Sequence, residues 1–114
     1  MKLWIDDVRP APEGYVWCKS VDQAKEAIDY CENVWRAPMY YPGVSHINGP
    51  IDIEVIDIDH DAGDYACDGG DYIKLLDWLE ETGRSYPIRI HSMNPVGVAN
   101  MRAIIERNGW REIK

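Results

Sequence analysis

The stretch IDIEVIDIDHDAGDYACDGGD, residues 51–71, decides how the rest of the chain is read. Its first part, residues 51–58, is apolar and β-branched, and it runs into acids and glycines. A short apolar run rich in Ile and Val and closed by turn residues reads as a buried strand. Asp52 and Glu54 keep it from being cleanly apolar, so they face away from the core or lie near its start. The stretch carries eight of the chain's 20 Asp and Glu residues: Asp52, Glu54, Asp57, Asp59, Asp61, Asp64, Asp68 and Asp71. Like charges this close repel. Their gathering at a strand end, with His60 set between Asp59 and Asp61, therefore needs a reason. Asp71, after Gly69-Gly70, is a good N-cap for the segment YIKLLDWLEETG. There Leu75, Leu76, Trp78 and Leu79 form an apolar helix face, and Gly83 stands at the C′ position.

The pattern repeats outward from this stretch. KLWID, residues 2–6, is a first strand ended by two Asp, and residues 9–14 are turn chemistry rich in Pro and Gly. YVWC, residues 15–18, is a second strand. Ser20 and Gln23 form a capping box for a helix with Ala24, Ala27, Ile28 and Cys31 at helical spacing, fading near Trp35. Residues 36–50 hold three Pro and two Gly without a clear period. Loops this long are uncommon in compact domains and often functional. PIRI, residues 87–90, is a fourth strand, ended by His91-Ser92. Asn94 as N-cap and Pro95 at N1 open a last helix, lined by Val98, Met101, Ile104 and Ile105 and closed by Gly109. WREIK, residues 110–114, is too short to assign, an edge strand being one reading.

Strands alternating with helices imply an α/β fold with a mainly parallel sheet. Such sheets bind ligands outside the carboxyl ends of their strands. That rule brings Asp6-Asp7, the segment 57–61 and His91-Ser92 to one edge.

Composition sets further bounds. A chain of 114 residues reads as one domain, residues 1–114, with an irregular loop at 36–50. Five Trp, seven Tyr and no Phe supply its aromatic volume, and such rings keep a polar tip that wants a partner. Trp4, Trp17 and Trp78 fall at core-facing positions and read as packing. The net charge of −8 argues against binding duplex nucleic acid, which requires Lys and Arg at the phosphates. Cys18, Cys31 and Cys67 are odd in number and widely spaced, without a CxxC, and read as reduced thiols. No signal-peptide core and no membrane-spanning run is present, so the expectation is a cytoplasmic protein.

An acid pair after the first strand, an Asp after the third and a hydroxyl after the fourth resemble the response-regulator receiver domain. That resemblance implies a Mg²⁺ site at Asp6, Asp7 and Asp59, with Asp59 at the phospho-acceptor position, Asp57 as its rival and Ser92 as the switch hydroxyl. Three departures stand out. No helix separates the first two strands, the receiver Lys-Pro is missing, and Asp59 is followed by His-Asp. The motifs LWIDDVRP, DHD, GGDYIKLLDWLE and HSMNPVGVANMRAIIERNGW resemble instead a divergent branch, the cyclic-phosphate processing receiver-like family of bacteria and phages. The resemblance covers most of the chain except residues 36–50. It implies a small three-layer, receiver-like (flavodoxin-like) sandwich of four or five mainly parallel strands that lacks the first helix. It also implies action on a cyclic phosphate of a nucleotide or RNA end.

Site residues follow from both lines. Asp6, Asp7 and Asp59 are the expected ligands of a hard cation, Mg²⁺ or Mn²⁺; the alternative is that strand-end Asp residues cap loops. His60 and His91 are the expected proton carriers, with Asp61 beside them; the alternatives are metal ligation, with Asp61 orienting the ring, or a structural role. Arg9 is set to hold a phosphate or to pair with Asp7 or Glu13. Ser92 and Asn94 stand at a helix mouth that favours an anion, Asn94 reading more readily as the cap. Asp64 and Asp68 read as turn residues. Tyr40, Tyr41 and His46 read as a surface insertion or, alternatively, a lid over a base. The functional expectation is a metal-assisted phosphoesterase for a small phosphorylated or cyclic-nucleotide ligand. The alternatives are a binding module, such as a phage protein that sequesters a nucleotide signal, and a phospho-accepting receiver.

Overall fold

A computed structural model describes residues 1–33 and 51–114. The expectations for residues 36–50, with Tyr40, Tyr41 and His46, and for the helix end near Trp35 lie outside the described residues. The elements run β1 (Lys2–Ile5), β2 (Tyr15–Cys18), α1 (Val21–Asn33), β3 (Val55–Ile58), a 3₁₀ turn (Gly63–Cys67), α2 (Ile73–Glu81), β4 (Ile88–Ile90) and α3 (Pro95–Asn108). The sheet order is β2-β1-β3-β4, with every pair parallel. No helix separates β1 from β2.

Strand alternation sorts the sheet's two faces. Leu3, Ile56 and Ile88 share one register row, and Ile5, Ile58 and Ile90 another. Leu3, Ile5, Ile56, Ile58 and Ile88 belong to one buried cluster with Val21, Ala24 and Ile28 of α1, Leu75, Leu76 and Leu79 of α2, and Met101, Ile104 and Ile105 of α3. The helices therefore cover this face together. Burying each Leu or Ile stabilises the fold by about 1.5–3 kcal/mol. The row Trp4–Asp57–Arg89 points to the other face. The expected α/β, receiver-like architecture forms, and of its three layers the described residues build two.

Several local expectations are corrected. The third strand begins at Val55, not at residue 51. Its lead-in is held by single bonds instead: the Ile51 amide donates to the Cys31 carbonyl and the Glu54 amide to that of Met1. β1 and β4 are four and three residues long, so a longer β3 would have no partner to pair with. Asp71 does not cap α2. The residue at the cap is Tyr72, already helical in conformation and without a side-chain cap. Asp71 accepts instead from the amide of buried Ala62, 3.2 Å away, a donor that would otherwise lack a partner. Asp68 does more than shape its turn, since it accepts from the Ser20 hydroxyl at 2.6 Å and ties the turn to the start of α1.

Other signals read as expected. Ser20 accepts from the Gln23 amide, and Gln23 reaches back to the Lys19 amide. Asn94 accepts from the Gly97 amide, and Gly109 closes α3 in a left-handed conformation. Residues 110–114 add one parallel bridge, Ile88 to Glu112, at the sheet edge rather than a strand. The three cysteines are unpaired; Cys18 and Cys31 are buried and Cys67 is exposed. No described helix is long and apolar enough to cross a membrane.

Candidate functional site

Backbone bonds align the carboxyl ends of the strands. The Asp6 amide donates to Cys18, that of Asp59 to Ile5, and that of His91 to Ile58. Asp6, Asp59 and His91 thus leave neighbouring strands at the same level, the edge where parallel sheets bind ligands.

Asp6, Asp7 and Asp59 each offer a carboxylate oxygen, and these oxygens lie within 4.8 Å of one another. Asp6 is buried. Its Oδ1 accepts from the amides of Val8 at 2.9 Å and Arg9 at 3.0 Å. Burial pushes the Asp6 carboxyl up. The amides of Arg9 and Val8 and the His91 ring outweigh that push and hold it below the usual carboxylate range. The Asp7 carboxylate lies so close to Gly63 that a Cβ there would collide with it, and Gly63 has a φ of +56°. Glycine alone suits that turn on both counts. Three hard oxygen donors, two just after β1 and one just after β3, suit Mg²⁺ or Mn²⁺ by donor chemistry.

Tyr72 lies fully buried near this cluster, with its hydroxyl donating to the Lys19 carbonyl at 2.7 Å. Burial, and then Asp7, Asp6 and Asp59, push its pKa far up, so the phenol stays neutral.

The two histidines differ. His60 Nδ1 meets Asp61 Oδ1 at 2.8 Å and the Asn94 amide nitrogen at 3.5 Å, while Nε2 has no partner among the described residues. The shorter contact is that of an Nδ1–H donating to the Asp61 carboxylate, and it leaves Nε2 open. The His60 ring lies against Gly97 in the first turn of α3, where a Cβ would collide with it. Its own amide donates to Asp59 Oδ1 at 2.8 Å, fixing the ring's strand end beside the acid cluster. His91 is enclosed. Its Nδ1 meets Asp57 Oδ1 at 2.7 Å and its Nε2 meets Asp6 Oδ2 at 2.9 Å. The ring stacks on Trp4, with centroids 3.9 Å apart and planes 5° from parallel. Both nitrogens are taken, so the geometry places His91 beside the acid cluster without a free site for proton transfer.

Arg9 makes no ion pair with Asp7 or Glu13 among the described residues. Its guanidinium is exposed and reaches the His91 carbonyl at 3.3 Å. The Ser92 hydroxyl accepts from the Asn94 amide at 3.1 Å, which leaves its own proton free to donate. Asn94 spends its oxygen on the Gly97 amide and turns its nitrogen toward His60. Asp6, Asp7, Asp59, His91 and Arg9 are thus brought together directly, and His60, Asp61 and Asn94 join them through the end of β3 and the start of α3.

Sequence reasoning missed the partners on the other side of the sheet. Asp57 is buried within β3 and binds both His91 and Arg89, the latter at 3.0 Å. That occupation leaves it no role as a rival phospho-acceptor. Trp4, expected as packing, is the platform under His91, and its indole donates to the Arg9 carbonyl at 2.8 Å. Trp17 donates to the Asp6 carbonyl at 2.7 Å, and Trp78 lies half-buried under Arg84. The available signal was the period of two, which puts Trp4 and Asp57 together on the face opposite Leu3, Ile5, Ile56 and Ile58.

A parallel sheet with an acid pair after β1, an acid after β3 and a hydroxyl after β4 defines a receiver-like α/β protein. The model of the cyclic-phosphate processing receiver domain family matches residues 1–107, and the chain belongs to that family. No curated protein and no solved structure gives a match.

Proposed function

We propose that this chain is a metal-assisted phosphoesterase that opens a cyclic phosphate of a nucleotide or RNA end. The observation that carries the reading is His60, with Nδ1 held by Asp61 and Nε2 free, at the strand end shared with Asp59. A histidine held by a carboxylate on one nitrogen keeps a single tautomer and presents the other nitrogen as base. Asp6, Asp7 and Asp59 would hold the cation, which supplies Lewis-acid polarisation of the phosphoryl group when bound.

In the reaction, His60 Nε2 takes a proton from a water whose oxygen bonds to phosphorus. The bond from phosphorus to one ester oxygen of the ring breaks. The imidazolium, steadied by Asp61, returns its proton to that departing oxygen, and the product is an acyclic phosphomonoester. Arg9 and the Ser92 hydroxyl supply donors for the non-bridging oxygens, and Asn94 keeps the mouth of α3 in place. His91 takes no proton-carrying part in this scheme, because both its nitrogens are engaged.

Rates of His60→Ala and Asp61→Asn on a 2′,3′-cyclic nucleotide test the reading. A positioned acid–base group contributes about 10²–10⁴-fold, so His60→Ala loses that much in kcat. Asp61→Asn keeps the ring but weakens its hold, and loses less. Unchanged turnover in His60→Ala sinks the proposal. Tight binding with the cyclic ligand recovered intact from wild type turns the reading to a binding module.

A further inference from the structure

We infer that Asp57, acting through the ring of His91, is a positioning residue that sets the Asp6 carboxylate for its cation. The inference rests on the proposed metal site. A buried carboxylate in the middle of a strand is costly unless it is paired and hydrogen-bonded. Asp57 meets that requirement with two partners: Arg89 on one oxygen and His91 on the other. His91 then carries the contact across to Asp6 Oδ2. The ring thus bridges the two carboxylates, one on each nitrogen, at 2.7 and 2.9 Å.

The ring has little freedom to tilt. Trp4 stacks flat on it, and Trp4 is itself fixed by its bond to the Arg9 carbonyl and by the edge-on ring of Tyr15, 5.9 Å away. Asp6 is therefore held from three fixed directions: by the amides of Val8 and Arg9 on Oδ1 and by the His91 ring on Oδ2. Its carboxylate plane is set before a cation arrives: Oδ1 spends both lone pairs on amides, and Oδ2, with a single contact, keeps capacity for a cation. Asp57 does not belong to the acid cluster and faces the side of the sheet away from the helices, so its influence passes through His91. Replacing a buried ionic chain by apolar residues is often neutral or stabilising, so stability alone gives little reason for this one. Partners that orient metal ligands typically control affinity by about 10–100-fold.

Titration calorimetry of the whole chain with Mn²⁺ and Mg²⁺, on wild type and Asp57→Asn, tests the inference. The expected result is a Mn²⁺ affinity about 10–100-fold weaker in Asp57→Asn, at a temperature where its amide spectrum stays native-like. Equal affinities in the two proteins overturn the inference and leave the metal site standing. A wild type that takes up neither metal removes the metal site, and this inference with it. Should Asp57→Asn not fold, the same titration on Arg89→Ala decides, because Arg89 holds the other oxygen of Asp57. A weakened Mn²⁺ affinity supports the chain of contacts; an unchanged one overturns it.

Discussion

Gly97 and His60 meet so closely that a methyl group on the glycine would occupy the place of the imidazole. Gly costs about 1 kcal/mol relative to Ala in a helix interior and less in a first turn, so Gly97→Ala at most modestly strengthens α3 as it displaces the ring. The two effects separate in measurement. We predict that Gly97→Ala changes stability by less than about 1 kcal/mol, while the His60 ring resonances shift and turnover falls nearly as far as in His60→Ala. Normal activity with unshifted His60 signals would contradict the seat described for this ring. The sequence named His60, Asp61, Asp6, Asp7 and Asp59, because charge crowding at strand ends is local. It gave no sign of the two glycines that admit them. Gly97 stands far along the chain from His60, and only packing brings them into contact. The Asp57–His91–Asp6 connection was hidden for the same reason, since it joins residues from three different strand segments.

The helix ends show which boundaries local chemistry settles. At α3 the reading Asn-Pro at the start and Gly at the end held, because each residue satisfies or frees a backbone group of its own turn. At α2 it failed, because Asp71 has two uses and the buried amide of Ala62 claims its oxygen. β3 is shorter than its apolar run because such a run states what is buried, while pairing partners state what is strand. The α3 cap makes a quantitative prediction. Asn94→Ala should cost about 1 kcal/mol, read as a lower denaturant midpoint at unchanged slope. No change in midpoint would mean that the turn is held without its side-chain cap.

At the scale of the whole molecule, acid should unfold the chain through a few carboxylates. Burial pushes Asp6 up, but the Arg9 and Val8 amides and His91 bring it below its usual value. Burial likewise raises Glu32, and its bonds with Arg84 and Tyr86 more than compensate. Glu112 is lowered by its bonds with Arg102. A carboxyl whose folded pKa is depressed stabilises the fold above its unfolded value, about 3.9 for Asp and 4.3 for Glu. That contribution is lost as pH falls through the folded pKa. The prediction is a denaturant midpoint that drops progressively from about pH 4.5 downward, followed by circular dichroism. A midpoint that held steady down to about pH 2 would contradict the pairing of these carboxylates.

Phosphorus NMR decides whether the strand-end site opens a cyclic phosphate with a cation's help. The panel is a 2′,3′-cyclic nucleotide, a cyclic-nucleotide signal and an ADP-ribose cyclic phosphate, each with Mg²⁺, with Mn²⁺ and with chelator. The expected result is that at least one of these resonances gives way to that of an acyclic monoester. Chelator should stop the conversion, and His60→Ala should slow it by about 10²-fold or more. All three compounds recovered unchanged in the presence of either metal would contradict it.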